Sequence, residues 1–286
     1  MTIPLVRTVK CMGEVGTDGH APMKFLCDDG ALYYCKYRKR FHLLEERDYL
    51  RYELVGTALL NALDIATPEV AFVQLQEGSF DPGQIPQNAE HAKAGIVAFG
   101  SRHRMGSLVN VLHRFRTDEE RSLLHRPEDL VRIAIFDSWA GNADRGRPLE
   151  GDQFNFNLLL CPAERGRLRF TAFDHAFLFH GDGGRGRIGE PGYHHPHVWN
   201  MLFSTPLMRD VVAYLGPEQV EEILAELVVR LRSLKGKGIV ERVMEQTAMY
   251  WGPSEELTEQ MLHFLWDESR LVELPISVRS AMGLKS

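Results

Sequence analysis

The hydrophobic period of this chain changes near residue 40, from that of strands to that of a helix. From Arg7 to Tyr37 apolar and polar residues alternate, interrupted by Gly13, Gly16, Gly19 and the Asp29-Gly30 pair. A period of two is what half-buried strands require, and Asp-Gly closes tight hairpins because both residues tolerate positive φ. The stretch predicts a small antiparallel sheet. From Leu43 to Leu63 the period becomes helical, with Leu50, Leu54, Thr57, Ala58 and Ala62 near one face and Pro68 forbidding continuation. Val70 to Gln76 then reads as a strand, Gly78 to Lys93 as a polar loop, and Ile96 to Phe99 as a last apolar run before helical signals take over. Strands gathered mostly before helices imply an α+β fold, and the length suffices for one large domain or two lobes. The boundary is expected near Phe99 to Arg104, giving a β-rich N-terminal lobe over 1–99 and a mostly helical C-terminal lobe over 100–286.

In the second part, Thr117 and Glu120 form a capping box ahead of Leu123 and Leu124. Pro127 suits the first turn of a helix whose stripe is Leu130, Ile133, Phe136 and Trp139, broken by Gly141 and Asn142. Two short apolar runs, Phe156 to Cys161 and Leu168 to Phe173, read as a hairpin joined through Pro162 and Gly166. Gly181 to His197 reads as loop. Further helices are expected over Glu218 to Leu231, Ile239 to Tyr250 and Glu255 to Trp266, the last with Ser254 as its cap.

Composition narrows the partners. With 33 basic and 39 acidic residues the formal net charge is -6, so the molecule as a whole does not attract nucleic acid or an anionic membrane. Cys11, Cys27, Cys35 and Cys161 lack CxxC spacing and read as free thiols of a reducing compartment. No segment approaches the roughly 18 to 20 apolar residues that span a bilayer. These features together predict a cytoplasmic protein.

The chemistry is concentrated in three short pieces: Asn142-Ala143-Asp144-Arg145, then Asn155-Phe156-Asn157-Leu158-Leu159-Leu160, then Thr171-Ala172-Phe173-Asp174-His175. They place carboxylates on both sides of a hairpin. Phosphoryl transfer needs one carboxylate to orient an acceptor hydroxyl and oxygen ligands that hold magnesium between phosphates. In that scheme Asp144 orients the acceptor, Asn155 and Asp174 hold the metal, and Arg145 steadies the loop or a phosphate. Taken singly, each is a common turn residue whose side chain bonds nearby backbone.

Together the pieces resemble the HipA-like kinase family and, more distantly, the lipid and aminoglycoside kinases. The resemblance covers most of the chain and implies a two-lobed protein-kinase-like fold, with ATP and Mg²⁺ between the lobes and transfer of the γ-phosphate to a hydroxyl. By the same resemblance Lys36, in Tyr33-Tyr34-Cys35-Lys36-Tyr37, contacts nucleotide phosphates and Glu53 is its partner. The Gly16-Thr17-Asp18-Gly19-His20 turn covers phosphates through Gly16 and Gly19, and Phe99 with Gly100 lies at a hinge beside adenine, where a core Phe before a turn Gly would look the same. Asn155 is preferred to Asn157 because Asn155-Phe156 precedes the apolar strand as in the family. Two departures stand out: Gly146 to Gly151 lengthens the interval from Asp144 to Asn155, and His175 replaces the Phe of the protein-kinase triplet. The acceptor is open between protein Ser/Thr, a small molecule and the chain itself, with the resemblance favouring protein hydroxyls.

Two rivals belong beside this reading. His194, His195 and His197, with His175 and His180, suggest a zinc metallohydrolase, against which no HExxH spacing exists and adjacent histidines diverge in any regular element. A nucleotide-binding pseudokinase or interaction module is the other.

Overall fold

The computed structural model describes residues 2–16, 21–37, 44–90, 92–151, 153–179, 188 and 200–284. Strands β1 (Leu5–Glu14), β2 (Met23–Cys27) and β3 (Leu32–Lys36) form the expected antiparallel sheet, followed by helix α1 (Leu44–Ala62), then β4 (Val70–Gln74) and β5 (Val97–Arg102). The sheet does not stay open. β4 pairs in parallel with β1, closing a barrel in the order β1-β2-β3-β5-β4 and leaving no free edge. Asp29 and Gly30 make the β2-β3 turn, where Cys27 N donates to Ala31 O at 2.9 Å and Gly30 has φ +78°.

Successive strand residues face opposite ways, and here each way meets a different core. Ala71, Val73 and Ala98 belong to the barrel interior with Met23, Phe25 and Cys35, whereas Phe72 and Phe99 join the large core shared with α1 and the C-terminal helices. This corrects the expected hinge. Phe99 lies inside β5, opposite Lys36 on one side and Phe72 on the other, and at 2% exposure it is a core side chain rather than a wall for adenine. Gly100 is likewise in mid-strand, where a Cβ would stand 2.4 Å from Val73 Cγ2. The chain leaves the barrel after Arg102 rather than at Phe99.

Beyond the barrel come β6 (Ser107–Leu108), α2 (Asp118–Ser122), α3 (Glu128–Ala140), β7 (Arg147–Pro148), β8 (Phe154–Asn155), β9 (Leu158–Pro162) and β10 (Leu168–Ala172). The Thr117 capping box opens α2: Thr117 Oγ1 accepts from Glu120 N and Glu120 Oε2 accepts from Thr117 N. α3 is buried nearly all round, which marks it as the central helix of the lobe, and Gly141 ends it in the left-handed region at φ +66°. β9 and β10 form the expected hairpin, with β6 on the other edge of β9.

The lobe is completed by α4 (Pro206–Leu215), α5 (Pro217–Leu234), α6 (Ile239–Trp251), α7 (Glu255–Leu265) and α8 (Glu268–Met282). α5, α6 and α7 match expected helices, although Ser254 at the start of α7 makes no side-chain cap bond. α4 and α8 are additions to the expected set. The four cysteines are free and buried, and no helix among the described residues is long and apolar enough to cross a membrane.

Candidate functional site

Lys36 stands at the end of β3, and α1 and β10 each bring it a carboxylate. Its ammonium lies 2.7 Å from Glu53 Oε1 and 2.8 Å from Asp174 Oδ1. The second oxygen of Glu53 accepts from the backbone N–H of His175 at 2.6 Å, so one side chain ties the barrel, α1 and the turn after β10 together. Gly56 makes this approach possible. A Cβ there would stand 2.7 Å from both His175 Cβ and Leu178 Cδ1, and only a glycine one turn after Glu53 lets α1 lie so close.

Burial opposes charge on all three groups, and the outcome differs for each. Lys36 is desolvated, yet Asp174 and Glu53 together hold its ammonium above the ordinary lysine value. Burial and the charge of Asp174 push Glu53 up against the pull of Lys36, to about 7. Asp174 is also buried, but Lys36 outweighs this and lowers it. Asp174 has φ +57°, an uncommon backbone for a non-glycine residue. Its Oδ1 is buried and accepts no well-directed hydrogen bond, so the ion pair with Lys36 is its contact among the described residues.

The second half of the site is the loop after α3. Asn142 Oδ1 accepts from the backbone N–H of Asp144 at 3.1 Å, and Asn142 Nδ2 donates to Asp137 of α3 at 2.8 Å. The lengthened interval before Asn155 is folded as the hairpin β7-β8, in which Arg147 pairs with Asn155 and Leu149 N donates to Gln153 O. It returns Asn155 to Asp144, whose Oδ2 accepts from Asn155 Nδ2 at 2.6 Å and from Asn157 Nδ2 at 2.9 Å. Arg147 Nε is 3.2 Å from the other oxygen. Burial, then the charge of Asp174, raises Asp144 above the usual carboxylate value. With their nitrogens so engaged, the two amides keep their carbonyl oxygens, and neither accepts a hydrogen bond among the described residues.

Of the two roles open to Arg145, its geometry serves only the steadying of the loop. The side chain is fully buried, and its Nε donates to Asp137 at 2.7 Å. Nη1 donates to the carbonyls of Phe156, Asn157 and Phe173, and Nη2 meets His175 Nδ1 at 3.2 Å. At 0% exposure and turned into this network, the guanidinium is closed to a phosphate, so the catalytic placement of Arg145 is corrected to a structural one. One guanidinium joins α3, the amide strand and the Asp174 turn. Asp137 and His175 carry this network without having been singled out for it; an Asp in an otherwise apolar helix, Ile135-Phe136-Asp137-Ser138-Trp139, is the signal that sequence offered.

Gly16 is exposed with open space where a side chain would be, and Gly19 lies outside the described residues. His180, His194, His195 and His197 also lie outside them. His175 is buried between Arg145 and Thr67 Oγ1, and burial followed by the charge of Arg145 keeps it neutral, well below the usual histidine range. No group of three metal-ligating His, Cys, Asp or Glu side chains occurs among the described residues. A cavity of about 460 Å³ lies apart from this site, lined in part by Arg121, Arg126 and Arg167. Arg121 is paired with Asp118, and Arg126 with Asp64, Glu128 and Asp129, so it is no concentrated positive patch.

A family model for the HipA-like kinases matches residues 17–186, more than half of the chain. The chain belongs to the HipA-like kinase family. No curated protein matches it. Among solved structures, the proinflammatory kinase CtkA of Helicobacter pylori aligns over 100% of both chains at 11% identity with a TM-score of 0.54, which establishes the kinase-like fold. An apo pseudokinase aligns over 100% of this chain and 96% of its own at 10% identity, with a TM-score of 0.32. In this HipA-like kinase family member the matched segment runs from Thr17 past His175 and so contains both halves of the site, while α4 to α8 lie beyond it.

Proposed function

We propose that this protein is an ATP-dependent phosphotransferase, a HipA-like serine/threonine kinase that moves the γ-phosphate of ATP to a hydroxyl. The observation that carries the reading is Lys36 bridged to Glu53 and Asp174 beside an Asp144 oriented by two amides. An ammonium held ionised between two acids is a fixed positive charge for nucleotide phosphates. Asp174, kept ionised by Lys36, and the side-chain oxygen of Asn155, whose nitrogen is turned to Asp144, would supply hard oxygen donors of the kind a magnesium ion takes. When bound, Mg²⁺ neutralises charge on the phosphate oxygens.

Asp144 orients the acceptor hydroxyl and takes its proton as the acceptor oxygen bonds to the γ-phosphorus. The bond from that phosphorus to the bridging oxygen breaks, and ADP leaves with its electron pair. Asn155 and Asn157 keep Asp144 aimed, and Asn155 is assigned to the metal. Replacing Asn155 by Ala is expected to impair turnover more than replacing Asn157; the opposite order would transfer the assignment to Asn157, which immediately precedes β9 and whose backbone carbonyl accepts from Phe173 N at 3.1 Å, one residue from Asp174.

The alternative, a nucleotide-binding pseudokinase, is favoured by the engagement of Asp144 with three donors, as a turn residue would be. Incubation with radiolabelled ATP and Mg²⁺, with and without protein acceptors, separates the two. Label in protein supports the kinase; nucleotide binding without transfer supports the pseudokinase.

A further inference from the structure

Helix α6 fastens both parts of the N-terminal lobe on which Lys36 and Glu53 depend. Arg51 on α1 is 3% exposed and reaches across to the end of α6. Its Nη2 donates to Gly252 O at 2.7 Å and to Trp251 O at 3.3 Å, and its Nε to Thr247 Oγ1 at 3.4 Å. Those carbonyls are open acceptors at the negative pole of α6, where a guanidinium is best placed. The barrel is attached to the same turn. Trp251 Nε1 donates to Val97 O of β5 at 2.9 Å, and the ring of Phe72 on β4 lies 4.7 Å from Tyr250 and 5.4 Å from Trp251 between centroids. Ile3 N donates to Gln246 Oε1 at 2.8 Å, adding the chain segment before β1.

Sheet and helix, which carry Lys36 and Glu53 separately, are therefore referred to one object. Residues two apart on a helix point about 200° apart, so Arg51 faces away from Lys36 and acts on it only by fixing α1. The Lys36 to Glu53 contact at 2.7 Å and the Glu53 to His175 N bond at 2.6 Å both need α1 at this depth.

We propose that Arg51 is a positioning residue for the phosphate lysine: by holding α1 on the last turn of α6 it keeps Glu53 within reach of Lys36. Helix α6, outside the family-matched segment, thereby becomes part of the nucleotide site. This rests on the kinase reading above, in which Lys36 meets phosphate.

Loss of stability cannot test the idea, because removing a buried guanidinium leaves carbonyls unpaired whatever its role. A double-mutant cycle read as Mg-ATP affinity can. Isothermal titration of Mg-ATP into the full chain compares wild type, Lys36→Ala, Arg51→Ala, Glu53→Gln and the Arg51→Ala/Glu53→Gln pair, below the unfolding temperature of each. Arg51→Ala is expected to weaken binding about tenfold when Glu53 is present and less than about twofold when it is already Gln, because both changes remove the same contact. Arg51→Lys, which keeps the charge but loses the fork, should fall between wild type and Ala. If Arg51→Ala does not fold, the cycle is run with Arg51→Lys and the same non-additivity is expected. Equal losses in both Glu53 backgrounds, or none in either, would overturn the proposal. Unchanged affinity in Lys36→Ala would remove the kinase reading itself and this proposal with it.

Discussion

Asp144 and Asp174 are neighbouring carboxylates whose surroundings move them in opposite directions, and that divergence fits the two roles proposed for them. Burial, reinforced by the charge of Asp174, raises Asp144, which suits a group that must receive a proton. Asp174 is desolvated too, but the Lys36 ammonium lowers it to about 2 and keeps it ionised for a cation. Asp144→Asn is therefore expected to leave Mg-ATP affinity near wild type and to cut the transfer rate about 10²- to 10⁴-fold. The rate of the wild type should fall as pH drops through the raised value, so the acid limb of kcat lies above the ordinary carboxylate range near 4. Equal transfer rates in mutant and wild type would remove Asp144 from the reaction. Asp174→Asn is expected to abolish turnover and to change acid stability with a definite sign. A carboxylate lowered in the folded state stabilises above its unfolded value, and that contribution is lost as pH falls through the folded one. Urea midpoints between pH 5 and 2 should therefore fall more steeply for wild type than for Asp174→Asn.

At the scale of elements, what was legible in the sequence followed local chemistry. The period-two stretch, the Asp29-Gly30 turn, the Thr117 capping box and the β9-β10 hairpin all declare themselves within a few residues, and the structure contains each. Lys36, Glu53, Asp144 and Asp174 were singled out as separate signals and are brought together. Long-range features were hidden. Barrel closure depends on β1 meeting β4, and nothing in either strand specifies that partner. α8 contains Pro275, which ordinarily argues for a break, and is held by packing of Leu271, Leu274 and Val278. The Asn155 hairpin reads as an insertion because its pairing shows only once Gly146, at φ +83°, turns the chain. Gly56 was equally silent, since a helical glycine shows its purpose only beside His175. Gly56→Ala places a Cβ 2.7 Å from His175 Cβ and Leu178 Cδ1. Either α1 or the Asp174 turn must retreat, with a cost of about 1 to 3 kcal/mol and weaker Mg-ATP binding, although a helical alanine is intrinsically favoured over glycine. A stabilised variant with unchanged nucleotide affinity would show that α1 does not depend on this contact.

For the whole molecule, the question is whether two lobes mean two folding units. The barrel has its own interior, including Met23, Phe25, Cys35 and Val73, which argues for independence. Its strands argue the other way. Phe72 and Phe99 alternate with the interior residues and lie in one continuous core with Leu54 of α1, Leu130 of α3, Leu224 of α5 and Leu271 of α8. Melting the barrel alone would expose its outward aromatic side chains, and melting the C-terminal helices would strip α1 of the α6 turn that anchors Arg51. Each lobe therefore lacks a complete core when the other unfolds, and the molecule is expected to unfold in one cooperative transition with equal calorimetric and van't Hoff enthalpies. Leu224→Ala tests the coupling from a position remote from the phosphate lysine, because Leu224 is fully buried in α5. The truncation is expected to cost about 2 to 5 kcal/mol. Under one shared core, hydrogen exchange in β4 and β5 should accelerate with that in α5, even though no atom of the barrel interior has changed. Independent lobes would instead give two calorimetric transitions and leave exchange in the barrel strands at its wild-type rate.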